Sequence, residues 1–328
     1  MNSIYYLPES RQHPVVRGQY ALDTEPIAES VEKICEWIDA RVPGAYLYGF
    51  SRMGKSRALQ FWIERLLAEK YDGFLPIFRL VYKHHDRFSE LQFLSELLGA
   101  SEHKYSRGMN RQLLLDRLTR QYATRARNAG GNHIVLIIDE AQNMHDPEYR
   151  TLCNLQNELD NLGYLLTVIA VGSHELTYQH DVFLETGDIH ITGRFMVREA
   201  RFRGISNQQE LEFVLNGYDS LTEWPEGSGK SYTSYFLPQS FASGFRIAKY
   251  AEALWSVFIN LAPKVAGFKL EVPMEHIAKS VEGVFRDFDD DHLLTTELSF
   301  ADLEEKVEMT AYRKHMIGIC RVIGGGKR

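Results

Sequence analysis

The stretch Gly49-Phe50-Ser51-Arg52-Met53-Gly54-Lys55-Ser56 decides how this chain is read. It fits Gly-x4-Gly-Lys-Ser, a loop whose backbone amides wrap around nucleotide phosphates. Ala45-Tyr46-Leu47-Tyr48 ahead of it is apolar, and the residues behind it read as a helix as far as Tyr71. The chemistry needs that strand–loop–helix context, because the helix N-terminus and the loop N–H groups hold the anion together. Glycines let the backbone come close to the phosphates with no Cβ in the way. Gly49, Ser51, Arg52, Met53, Gly54, Lys55, Ser56 and Arg57 are therefore the candidate nucleotide cradle. The Lys55 ammonium is expected to reach the β- and γ-phosphates of ATP, and the Ser56 hydroxyl to ligate Mg²⁺. A mere Gly-rich turn would explain neither flank.

The second half of such a site follows at His133-Ile134-Val135-Leu136-Ile137-Ile138-Asp139-Glu140, a short β-branched run ending in two carboxylates. An unbroken apolar run of this length suits a strand covered on both faces in a parallel sheet. Ligands of such sheets bind beyond the carboxyl ends of the strands. Asp139 is then expected to hold the metal through water, and Glu140 to orient and activate the attacking water. An isolated Asp-Glu at a strand end is usually just solvated; beside a phosphate loop it points to hydrolysis as well as binding.

Gly227-Ser228-Gly229-Lys230-Ser231 resembles the core of the same loop, but the position five residues before Gly229 is Trp224, not glycine. Residues 221–226 read as a turn or loop with no strand, so this stretch is expected to be a flexible, solvated connector.

The 328 residues are 44% hydrophobic, enough for one larger core and a smaller one. Three widely spaced cysteines, Cys35, Cys153 and Cys320, form no metal pattern and suit a reducing, cytoplasmic setting. The first residues lack the basic start and apolar stretch of a signal peptide, and no run of 18 apolar residues points to a membrane span. A net charge of −7 makes no global case for nucleic acid, so any DNA contact must be local.

Strand and helix alternate along the first two thirds. A leading helix is expected over 24–40, then strands over 74–82, 133–139, 165–171 and 200–205, with helices at 88–98, 111–127 and 147–162 between them. Beyond about residue 234 helices dominate, over 245–261, 274–288 and 300–320. The expected domains are a leading segment 1–44, an α/β nucleotide-binding domain 45–233, and a helical lid with tail 234–328.

This layout resembles an AAA+ ATPase, a P-loop NTPase with a parallel sheet flanked by helices and a small C-terminal helical lid. The resemblance implies further roles. Ser173, at the end of the fourth strand with His174 beside it, takes the place of the residue that senses the γ-phosphate; a serine capping the next helix fits equally well. In Gly193-Arg194-Phe195-Met196-Val197-Arg198, the resemblance makes Arg194 the arginine finger delivered into a neighbouring subunit's site, with Arg198 as second choice and a solvated arginine as the plain alternative. Such a finger is worth about 10³–10⁵ in rate. Arg246, in Ser243-Gly244-Phe245-Arg246, matches the lid residue that contacts nucleotide.

Within AAA+ proteins the chain looks most like transposition regulators of the TnsC, TniB and MuB type. The stretches that carry this are the phosphate loop, Leu94-Ser95-Glu96-Leu97-Leu98-Gly99-Ala100 with the basic linker behind it, and Ile138-Asp139-Glu140-Ala141-Gln142-Asn143-Met144. Residues 188–193 depart from the family pattern before the arginines. The resemblance implies ATP-dependent, sequence-independent binding of double-stranded DNA by a homo-oligomeric ring or filament that links target-selection proteins to a transposase. Local charge agrees: residues 83–127 hold nine Lys and Arg against five Asp and Glu, a balance of +4. Lys83, Lys104, Arg107 and Arg111 are the candidate DNA contacts, set against an ordinary solvated helix face. The alternatives are a nucleotide-switched scaffold of the STAND type acting on a protein partner, and a DNA-remodelling motor.

Overall fold

The computed structural model describes residues 2–101, 110–265, 267, 269–288 and 290–325. Five strands make one sheet: β1 Gly44–Tyr48, β2 Ile77–Val81, β3 His133–Asp139, β4 Leu165–Gly172 and β5 Glu199–Arg201. Their order is β2-β3-β4-β1-β5, and every neighbouring pair is parallel. In β3 and β4 every residue after the first is buried, which is why these strands read as apolar runs, interrupted in β4 by the buried Thr167, rather than alternating ones. At the edge, β2 does alternate, with Phe78 and Leu80 turned inward.

Parallel neighbours need crossover connections, and helices supply them. The helix Glu90–Ala100 and the helix Arg111–Asn128 join β2 to β3, Asp146–Asn161 joins β3 to β4, and Glu175–Glu185 follows β4. Arg111–Asn128 shows how the sequence sets one of them. The Asn110 side-chain oxygen accepts from the Leu113 N–H at 2.9 Å, capping the first turn. Leu114, Leu115, Leu118, Tyr122 and Ala126 then recur at helical spacing and are buried. Tyr122 stacks on Phe78 of β2 with ring centroids 4.4 Å apart.

The chain packs as two compact units. One, Glu29–Phe50 with Ala58–Phe202, holds the sheet and its helices. The other, Met1–Ala28 with Ser51–Arg57 and Arg203–Arg328, is helical. Its interior is more polar. The Asp290 carboxylate accepts from the N–H groups of Gln239 and Ser240 at 2.6 and 2.7 Å, capping the helix Pro238–Ala242. His13 is fully buried among the rings of Trp224, Tyr232, Tyr235 and Phe236. Burial holds its imidazole down to about 3, so it packs as a neutral ring.

The α/β class and the helical C-terminal region are as the sequence predicts, while several boundaries differ. The fifth strand ends at Arg201, not at 205. Ile205 pairs instead with Val272 in an isolated antiparallel bridge, beside Gly204, whose added Cβ would meet the Val272 carbonyl at 2.6 Å. The expected helix 300–320 is two, Phe300–Met309 and Tyr312–Gly325. The break has neither Gly nor Pro; Ala311 takes a left-handed φ of 60° while the Thr310 hydroxyl turns back to the Val307 carbonyl at 2.7 Å. The expected helix 245–261 begins as a 3-10 turn, Ile247–Tyr250, and becomes α-helical only over Ala251–Leu261.

Candidate nucleotide site

The loop after β1 has two physical reasons for its glycines. A Cβ on Gly49 would stand 2.3 Å from the Phe202 carbonyl oxygen, so the chain passes there only without a side chain. Gly54 has φ 108°, a conformation L side chains rarely adopt. Arg52 also has positive φ, at 64°, and the α-helix opens at Lys55. The loop is thus a folded cradle at a helix start, which fits a phosphate group. Met53 is buried at 3% exposure, which leaves only its backbone for a ligand. Lys55 is half-buried, while Ser56 and Arg57 are exposed.

Ser51, which belongs to the helical unit, is held within that unit by a directed row of hydrogen bonds. Thr310 donates its hydroxyl to Val307 O, so its oxygen must accept from His276 Nδ1, 2.8 Å away. His276 Nε2 is then an acceptor, and His315 Nδ1 donates to it at 2.9 Å. That leaves His315 Nε2 to accept from the Ser51 hydroxyl at 3.0 Å. Both rings are neutral in this arrangement. Burial and the neighbouring His315 push His276 down to about 4, and burial lowers His315 as well. Beside the row, the Glu275 N–H donates to Arg52 O at 3.1 Å and its carboxylate pairs with the Arg52 guanidinium at 3.4 Å.

Within the sheet unit, β1 and β3 finish at the same edge. Asp139 ends β3 at 2% exposure, and its Oδ1 accepts from the Glu140 N–H at 3.0 Å. Glu140 is half-buried with φ 59°, an uncommon left-handed state for a residue with a side chain. Its Oε2 accepts from Gln142 Nε2 at 2.6 Å, and Gln142 Oε1 accepts from the Ser173 N–H at 2.9 Å. The structure therefore brings Glu140 and Ser173 onto one amide. The Ser173 hydroxyl oxygen accepts from the Glu175 N–H at 3.3 Å, which leaves its proton for another acceptor. His174 packs among Tyr48, Phe50 and Tyr178, and burial lowers its pKa.

The remaining expected residues are more scattered. Arg194 is half-buried on the π-helical turn Thr192–Met196, and Arg198 is exposed just before β5. Arg246 is folded back locally: Nη1 donates to Phe241 O at 2.8 Å and Phe245 O at 2.6 Å, and the guanidinium lies 3.5 Å from the Phe241 ring centre. Lys83 is exposed. Arg111 is ion-paired with Glu90 at 2.7 Å. Lys104 and Arg107 lie outside the described residues. Among the described residues there is no cluster of three or more metal-ligating side chains, and no helix is long and apolar enough to cross a membrane. Sequence reading gave no role to Gln142, His276 or His315. The histidines are 39 residues apart and carry no local pattern, whereas Gln142 stood two residues past the acidic pair.

The strand order, the loop after β1 and the acidic end of β3 together define an AAA+ P-loop NTPase fold. Residues 44–179 match the family model described as the AAA domain, which supports ATPase activity. Among solved structures, the Walker-type ATPase PABY2304 of Pyrococcus abyssi is 16% identical at a TM-score of 0.49, with 95% of this chain and 78% of that one covered. The Aeropyrum pernix ORC2 protein, in ADPNP–ADP complexes, is 13% identical at 0.50, with 88% and 75% covered. Drosophila ORC bound to DNA is 15% identical at 0.50, with 90% and 66% covered. At these identities the likeness to the two ORC structures is one of fold. No curated protein sequence matches the chain.

Proposed function

We propose that this protein is a Mg²⁺-dependent ATPase that assembles on double-stranded DNA as a ring or filament and regulates transposition, linking target-selection proteins to a transposase. The observation that carries the nucleotide half is the loop, with Gly49 forced by the Phe202 carbonyl and Gly54 by its φ. Its backbone N–H groups and Lys55 bind and orient the phosphates. Mg²⁺, when bound, neutralises charge on the β- and γ-phosphates, and Ser56 and Asp139 would hold it. A Glu140 carboxylate oxygen takes the proton of the attacking water. Ser173 has a hydroxyl proton to give the γ-phosphate, and Arg194 of an adjacent subunit stabilises the charge that develops. Arg246 contacts nucleotide only after leaving the carbonyls of Phe241 and Phe245.

Support for the DNA half is the positive balance of residues 83–127 and the likeness of fold to an ORC structure bound to DNA. Contacts of that kind go to phosphates and weaken with salt. One observation favours the scaffold reading instead: the Arg111 guanidinium is already taken by Glu90.

Electron microscopy of the purified protein with duplex DNA, in ATP, a slowly hydrolysed analogue and ADP, separates the two. Rings or filaments on DNA only in the ATP-like states support the proposal. Monomers throughout, with DNA binding absent at low salt, would remove it and favour a scaffold acting on a protein partner.

A further inference from the structure

Gln142 sits where two proposed functional groups meet, and its orientation is settled by chemistry. The Ser173 backbone N–H can only donate and the Glu140 carboxylate can only accept. The amide oxygen must therefore face Ser173 at 2.9 Å and the amide nitrogen Glu140 at 2.6 Å. The turn that bears Gln142, Ala141–Asn143, is fixed from outside. Gln179 Nε2, on the helix Glu175–Glu185, donates to Gln142 O at 2.7 Å and Met144 O at 2.9 Å. On the opposite side Gly172, the last residue of β4, leaves the room the amide occupies. An added Cβ there would stand 2.4 Å from Gln142 Oε1 and 2.9 Å from Leu176 Cδ1.

We infer that Gln142 is a positioning residue that sets the Glu140 carboxylate and the Ser173 backbone in one fixed relation, so that the base and the phosphate-sensing serine move as a unit. The inference rests on Glu140 being the base. Glu140 has a left-handed φ of 59°, a state that persists only where surrounding contacts over-determine it. The Gln142 amide is one such contact. It also donates to the carboxylate and so fixes where its oxygens lie. Because a single amide makes both contacts, a shift of the Ser173 strand end is felt at Glu140 through one rigid planar group.

The test uses the full chain and four variants, with steady-state ATP hydrolysis, binding of a non-hydrolysed ATP analogue, and circular dichroism. Gln142→Met keeps the shape and removes both hydrogen bonds. It is expected to lower kcat by about 100-fold, the cost of an ångström-scale misplacement, with analogue affinity unchanged. Gln142→Glu keeps the acceptor for Ser173 but puts a second carboxylate beside Glu140. The two carboxylates repel, the contact to Glu140 is lost, and kcat falls as in Gln142→Met. Gly172→Ala displaces the amide from the other side and reproduces the Gln142→Met effect. Wild-type kcat in Gln142→Met or Gln142→Glu, or equal losses of kcat and affinity, would overturn the inference. Glu140→Gln separates the two levels. If it turns over normally, the base assignment fails; if it is dead while Gln142→Met is normal, only the inference fails.

Discussion

Two loops in this molecule carry a Gly-Lys-Ser run, and only one is built to hold a phosphate. At 49–56 the run follows β1 and opens a helix at Lys55, with both glycines demanded by geometry. At 227–231 the run is exposed apart from Ser231, which caps the five-residue helix Tyr232–Phe236. Gly227 and Gly229 have open space around them. The Gly229 N–H is already taken by the Glu223 carboxylate, and Trp224 N donates to Lys230 O at 2.9 Å. A loop whose amide is satisfied by its own carboxylate has a negative charge where an anion would have to sit. The letters agree; what differs is the element ahead of them and the partner of the amides.

Lysine replacement should break the comparison most sharply. Lys55→Ala is expected to weaken ATP binding by about 30-fold or more, since it removes a charge paired with the phosphates, and to abolish assembly on DNA. Lys230→Ala should leave both within twofold, as read by titration with a fluorescent ATP analogue. Glycine replacement comes next. Gly49→Ala must move the Phe202 carbonyl and should cost roughly 1–3 kcal/mol in urea unfolding, together with nucleotide binding. Gly227→Ala meets no atom within 4 Å and should cost about 1 kcal/mol, from its left-handed φ alone.

Acid should reach the first loop through His276. His276 is held down to about 4, below its unfolded value near 6.5. Its neutral form belongs to the fold, so this contribution is fully present above about pH 6.5 and is lost as the pH falls toward about 4. From pH 7.5 to 5.5 it should remove about 1 kcal/mol from the unfolding free energy. His276→Asn should flatten that dependence, whereas Lys230→Ala should leave it as it was. The smallest effect is expected from Glu223→Gln. It discharges the acceptor at Gly229, and nucleotide still should not bind there.

The sheet was legible because burial on both faces writes itself into composition. Residues 134–138 are apolar without interruption and 166–171 are broken only by Thr167, the composition of strands covered on both faces. The loop and the acidic end of β3 were legible because their chemistry is local in sequence. The helical unit was harder to read, because polar contacts between distant residues organise much of it. Asp290 caps residues 239 and 240 from 50 positions away, and Asp219 takes the N–H groups of Ile247 and Ala248. No periodicity announces such pairs. The break at Ala311 shows the same limit, since a side-chain hydrogen bond at Thr310 stands where glycine would be expected. Gln142 lay in plain view, but its two partners could be seen only after β3 and β4 had been placed side by side.

The row from Ser51 to Val307 has one further consequence. Thr310, His276 and His315 each give one proton and take one, with Ser51 at the open end, so the row is self-consistent in only two senses, forward or reversed. Val307 ends it with a carbonyl, which has no proton to return, and the reversed sense is struck out. All four proton positions therefore carry a single answer, written at the far end of the chain and read at the phosphate loop. The Ser51 hydroxyl meets any incoming anion with its hydrogen already assigned, and while the row stands it can offer a phosphate its backbone N–H alone.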